Sequence, residues 1–249
     1  MTDPFRHHPR LREFITPPED SELRRFDPAS IAEVVQANGA PETWKLSDED
    51  READRVQALV GREARDIWVF AYGSLIWNPA FRFAEVRRAF APEVARKFIL
   101  RDIYGGRGTR EVPGVMAALE EGEGCHGLVF RIRGHEQAEE TRILWRRERV
   151  GDAYIPRFIR AETDHGEVEA LAFMANHAAE LIAPDLSHDD QVRFCATGEG
   201  WLGSSFDYVA NLAAHFEEMR IEDPGVTQLL ADAMAWRRRN GSSVAPTEA

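Results

Sequence analysis

The sequence predicts an α+β fold: a mixed or antiparallel sheet with helices added after it, behind a partly helical N-terminal extension. Three observations carry this. Short apolar runs of strand length crowd together between Ile67 and Met174. The C-terminal third carries helical stretches that open on serine caps. The first 66 residues are rich in proline and charge and hold few apolar runs. Strands grouped ahead of helices argue against a doubly wound sheet, in which the two alternate.

The elements follow in order. In the extension, Ala29-Ser30 is placed to cap a helix over 31–36 that ends near Asn38-Gly39. Ser47-Asp48-Glu49-Asp50 reads as a capping box opening a charged helix to about Arg65. Ile67-Trp68-Val69-Phe70-Ala71-Tyr72 is a buried strand closed by Gly73-Ser74. Residues 97–104 form the next strand and end in the loop Gly105-Gly106-Arg107-Gly108. Strands at 115–119 and 126–132 are separated by Glu120-Glu121-Gly122-Glu123-Gly124. A helix spans 134–149, and 154–163 with 167–174 make a hairpin turning at Asp164-His165-Gly166. Ser187 caps a helix through Ala196, with Gly198 as its stop. Ser204 or Ser205 opens another to about Arg220, and Pro224 lies near the start of a last one ending around Arg239. The chain thus divides into an acidic extension (1–66), a main unit (67–240) and a flexible tail (241–249).

Charge and composition narrow the partners. The 249 residues include 31 Lys+Arg and 43 Asp+Glu, for a net charge of −12. The extension contributes −5 and the remainder −7, so the acidity is spread through the chain. An acidic chain with no basic block argues against nucleic acid and anionic membranes. No window approaches the roughly 20 apolar residues of a membrane span, and the first eight residues lack the apolar stretch of a secretory signal. Cys125 and Cys195 cannot build a disulfide framework and suit a reducing cytosol. The eight histidines are scattered without metal-pair spacing, and His7-His8 falls in a terminus expected to be mobile. The expectation is a cytoplasmic chain acting on a small molecule, without metal.

Two stretches carry candidate chemistry. A strand running into Tyr72-Gly73-Ser74-Leu75 can expose consecutive backbone N–H groups, because glycine reaches φ > 0 without steric cost. Such a nest suits a carboxylate or a developing oxyanion, although the same residues also make an ordinary strand-ending turn. Ser74 lacks a nucleophile elbow, since Tyr72 stands where the first glycine belongs. Glu148 continues an apolar helix face through Trp145, Leu144 and Thr141, and its forward neighbours Gly151 and Asp152 offer no cation. An unpartnered carboxyl there has a raised pKa and suits general acid/base work near neutrality. The alternative is a glutamate at a fraying helix end, or one paired with an arginine from elsewhere. The loop Gly105–Arg110 lacks the ending of a phosphate-binding loop and reads as a hairpin connection. Cys125 and His126 face opposite sides of a strand, and Cys125 reads as packing or surface. Trp145, Trp201 and Trp236 read as core or groove aromatics.

Together these residues resemble a known family. The run from Trp68 through Tyr72-Gly73-Ser74-Leu75-Ile76-Trp77-Asn78-Pro79 is similar to the N-terminal signature of the ChaC-type γ-glutamylcyclotransferases. Leu144-Trp145-Arg146-Arg147-Glu148, followed by Tyr154-Ile155-Pro156, resembles that family's catalytic-glutamate segment, and Gly105–Gly114 its intervening loop. The resemblance runs from about Ile67 to Arg239. It implies a small mixed β-barrel flanked by helices, with no cofactor. It implies cleavage of glutathione to 5-oxoproline and cysteinylglycine. In these terms Glu148 is the general acid/base and the loop Ala71–Leu75 holds the γ-glutamyl group through backbone N–H donors. Tyr154 and Tyr208 are candidates for lining the pocket. The family's Gly-Pro-x-Gly segment, followed by a polar residue and Asn, is replaced by Gly200-Trp201-Leu202-Gly203-Ser204-Ser205, while Tyr208 stays in place. Another γ-glutamyl amine or dipeptide is therefore an alternative substrate. A non-catalytic regulatory protein of the same fold, docking a partner through the extension, is the alternative of a different class.

Overall fold

Strand β1 (Ile67–Ala71) sits at the centre of a computed structural model that describes residues 3–241. It pairs antiparallel with β5 (Cys125–Ile132), placing Val69 opposite Phe130. The far edge of β5 takes β2 (Glu85–Ala91), and β2 meets β6 (Tyr154–Thr163) at Phe90 and Glu162. Strand β6 pairs along its whole length with β7 (Gly166–Ala175), which returns parallel to β1 through Val69 and Leu171. The order β1-β5-β2-β6-β7 and back to β1 closes a five-stranded mixed barrel. A barrel this small is filled by side chains, and Val69, Leu128, Phe130 and Leu171 are fully buried. A long hairpin of β3 (Val94–Tyr104) and β4 (Thr109–Glu121) extends from β7 through Leu119 and Met174. The mixed barrel expected from the resemblance is thus present.

Strand β2 went unforeseen because Arg87 and Arg88 interrupt its apolar run. In the fold Arg87 ion-pairs with Glu85 and lies over the Trp68 ring, so both charge and aliphatic stem are accommodated.

The helices follow the predicted caps with two corrections. Helix α1 (Ala32–Ala37) follows a 3-10 turn at Pro28–Ile31. Asp27 caps that turn by accepting the Ala29 N–H at 2.9 Å, and α1 itself starts at Ile31 without a side-chain cap, so Ala29-Ser30 is not its cap. Helix α2 (Asp48–Ala58) is capped by Ser47 on the Asp50 N–H at 3.0 Å, as predicted, but stops well short of Arg65. Gly61 turns the chain there at φ 76°. Helix α3 (Gln137–Glu148) follows a 3-10 turn at Gly134–Glu136. Helices α4 (His188–Thr197), α5 (Ser205–Met219) and α6 (Pro224–Gly241) pack on one another, with Ser187 and Ser204 as caps of the first two. The predicted flexible tail lies, from residue 242 onward, outside the described residues. Among those described, no helix is long and apolar enough to cross a membrane.

The extension is bound to the barrel. Phe5, Leu11 and Ile15 are buried in the main core. The carboxylate of Glu85, 3% exposed, gathers Arg6, His7, Arg87 and Arg131. Burial alone would push that carboxyl up, but the hydrogen bonds from Arg6 and Arg87 outweigh it and hold it at about 2. His8 accepts the Arg88 N–H at 3.1 Å. The pair His7-His8 is therefore a packed part of the fold, which corrects the expectation of a mobile terminus. Farther along, Arg24 reaches the fully buried Glu140 at 2.7 and 2.9 Å, and Leu46 donates its N–H to the Val150 carbonyl at 2.8 Å.

Candidate active site

The end of β1 and the end of α3 meet at one side of the barrel. Beyond Ala71 the chain passes through Gly73 into a 3-10 turn at Ser74–Ile76. The N–H groups of Ser74 and Leu75 open that turn and so have no acceptor within it. Glu148 is the last residue of α3, with 13% of its side chain exposed. Arg147, 9% exposed, joins the two. Its Nε lies 3.0 Å from Glu148 Oε1, its Nη2 donates to Ser74 Oγ at 2.6 Å, and its Nη1 donates to the Asn78 carbonyl.

Burial governs the protonation of this pair. It raises the Glu148 carboxyl above the ordinary value of 4.5 against the pull of Arg147, and it lowers the Arg147 guanidinium in spite of Glu148. Both shifts have the same cause: loss of water outweighs the mutual attraction. The result is a carboxyl that exchanges a proton closer to neutrality than an exposed one does.

Three of the chain's four tyrosines surround this pair. Tyr72 donates to the Phe173 carbonyl at 2.9 Å. Tyr154 donates to the Ala117 carbonyl at 3.2 Å, and Tyr208 accepts the Ala117 N–H at 3.3 Å. Burial pushes all three phenols up, so each keeps its proton at neutral pH. Gly73 is required where it stands: a Cβ there would lie 2.7 Å from the Tyr208 hydroxyl.

A cavity of about 1020 Å³ opens between α3, the β3–β4 hairpin and the extension. Of the candidate catalytic and substrate-binding residues, Ser74, Glu148 and Tyr154 line it directly, as does Trp201. Ala71, Tyr72, Gly73, Leu75 and Tyr208 stand behind that lining, buried. Sequence reasoning missed Arg147, because adjacent helical residues do not normally face each other. It also missed Arg107, because the Gly105–Arg110 loop lacks the ending of a phosphate-binding loop and reads as a plain hairpin connection. Asp102 folds that loop by accepting the N–H groups of Tyr104 at 3.0 Å and Arg107 at 2.5 Å. The Arg107 guanidinium lies over the Tyr208 ring at 5.0 Å and donates to the Ser204 carbonyl at 3.1 Å. Its Nε is buried without a partner, on the cavity wall. Cys125 is buried away from the cavity, as its packing role requires.

A family model described as ChaC-like protein matches residues 67–235. The chain belongs to the ChaC-like family. The glutathione-specific γ-glutamylcyclotransferase of Escherichia coli is 32% identical over 202 residues, 80% of this chain and 87% of that protein. That match is longer than the stretch from 67 to 249, so it reaches into the extension. Glutathione-specific γ-glutamylcyclotransferase 1 of Danio rerio is 30% identical over 64% of this chain and 82% of its own length. The crystal structure of a yeast γ-glutamyl cyclotransferase specific to glutathione shares the fold, with a TM-score of 0.64 over 71% of this chain and 99% of that one, at 19% identity.

Within this ChaC-like chain, the departures around 200–205 have structural partners. Ser205 Oγ accepts the Val115 N–H at 2.9 Å and donates to the Arg107 carbonyl at 3.3 Å, tying α5 to the hairpin. Trp201 stacks on Phe26 of the extension, with ring centroids 5.5 Å apart and planes 18° from parallel.

Proposed function

We propose that this chain is a γ-glutamylcyclotransferase that cleaves glutathione to 5-oxoproline and cysteinylglycine, with Glu148 moving the protons. The observation that carries this reading is the water-poor Glu148 carboxyl on the cavity wall, paired with Arg147 and within one side chain of Ser74.

The chemistry follows from those groups. The substrate's α-amine attacks its own γ-carbonyl, forming the ring C–N bond; the amide C–N bond then breaks and cysteinylglycine leaves. Attack within one molecule needs chiefly orientation, which a shaped cavity supplies. Glu148 as carboxylate takes a proton from the α-ammonium, and as acid returns it to the departing amine. A carboxyl raised toward neutrality serves both steps better than one near 4.5. The N–H groups of Ser74 and Leu75 suit the negative charge that develops on the carbonyl oxygen. Arg107, whose Nε is buried without a partner on the cavity wall, supplies a cation for a substrate carboxylate, while Arg147 is already engaged by Glu148, Ser74 and Asn78. Glutathione is abundant in the reducing cytosol, where the free thiols Cys125 and Cys195 also belong.

The presence of Glu148 and of the Tyr72–Leu75 loop speaks against a purely regulatory role. Trp201, in place of the family's proline, keeps a different γ-glutamyl amine as the second reading. Incubating the purified chain with glutathione tests both: 5-oxoproline and cysteinylglycine should appear in equal amounts. Release of glutamate instead would mean hydrolysis. Turnover of other γ-glutamyl dipeptides in place of glutathione would favour the second reading.

A further inference from the structure

We propose that residues 21–46 of the extension roof the cavity and set the enzyme's preference for the leaving half of its substrate. This rests on the glutathione reading above. The segment is fastened at points around the cavity. Ser21 donates to Asn78 Oδ1 at 2.7 Å beside the Ser74 turn, and Leu46 bonds Val150 just past Glu148. Between them Arg110 holds the Gly39 carbonyl at 3.2 Å. Helix α1 lies so close to the β3–β4 loop that a Cβ on Gly105 would come within 2.7 Å of Val34. Phe26 stacks on Trp201 in the middle of the span.

The position of the chemistry decides which half of the substrate meets this roof. The scissile carbonyl must lie within reach of Glu148, so the γ-glutamyl half is confined to the Ser74–Arg147 end. The cavity continues past that point to Phe26, Trp44 and Trp201. Whatever follows the scissile amide lies against these rings. Cysteinylglycine offers a soft thiol side chain to aromatic faces. Trp201 is 40% exposed although large and apolar, so part of its surface stays accessible beside the Phe26 stack.

Full-length Phe26→Ala and Trp201→Ala test this, since neither ring bonds to Glu148, Arg147 or Ser74. Each variant should raise KM for glutathione by about 5- to 10-fold with kcat within roughly twofold, the scale of losing one aromatic contact. Inhibition by cysteinylglycine should weaken in parallel, inhibition by 5-oxoproline should not change, and the melting temperature should fall by no more than a few degrees, the scale of one lost ring stack. An unchanged KM in both variants overturns the proposal, as does equal weakening of both products. A wild-type chain that fails to cleave glutathione refutes the reaction instead. In that case calorimetric binding of cysteinylglycine, weaker in both variants or not, still decides the role of the roof.

Discussion

Glu148→Gln is expected to lower kcat for glutathione by about 10³-fold while leaving KM within a few-fold. The size is that of a general acid/base removed from a reaction that uses it for two proton transfers. Shape is retained, because the amide fills the volume of the carboxyl. Arg147 loses its partner at 3.0 Å but keeps Ser74 Oγ and the Asn78 carbonyl, so the turn and the helix end stay joined. KM should move little, since Glu148 is assigned proton transfer and not substrate binding. Circular dichroism and thermal melting confirm the fold alongside the kinetics. A variant within tenfold of the wild-type rate would remove Glu148 from the mechanism.

The second large effect is on stability. Arg24→Met should cost about 3 kcal/mol of unfolding free energy, because it leaves a buried carboxylate without its main cation. Glu140 is fully buried and takes both guanidinium bonds, at 2.7 and 2.9 Å. What remains is the Arg82 N–H at 2.7 Å and an Arg82 guanidinium 3.8 Å away, which places the cost at the low end of the range for broken buried pairs. Urea denaturation measures it. The double variant Arg24→Met with Glu140→Gln should recover part of the loss, since no charge is then stranded. A loss below about 1 kcal/mol in the single variant would mean that Arg82 alone suffices.

The sequence was most informative where local chemistry decides structure. Serine caps at 47, 187 and 204 marked three helix starts, and the hairpin at Asp164–Gly166 turns where its residues predict. Glu148 was singled out because its neighbours one turn back are apolar, and burial does raise its carboxyl. Long-range pairings were illegible. Strand β2 hides behind two arginines whose partners, Glu85 and Trp68, come from spatial neighbours that periodicity cannot reveal. Arg147 was passed over because helical geometry points adjacent residues apart, yet a long guanidinium at a helix end folds back to the carboxyl beside it. The extension misled most. Its terminus around His7-His8 reads as mobile, but Arg6, His7 and, farther along, Arg24 find buried carboxylates on the barrel and on α3 that no local pattern reveals.

The measurement that bears most directly on the mechanism is the pH dependence of kcat/KM for glutathione. Glu148 must be ionised in the free enzyme to accept the α-ammonium proton, so the rate should fall as pH drops through its pKa. Burial places that pKa above 4.5. The expected profile therefore has an acid limb centred above 4.5, a range in which no carboxylate of glutathione titrates. A rate that stays flat down to pH 4.5, or a limb centred below it, would contradict proton transfer by a desolvated Glu148.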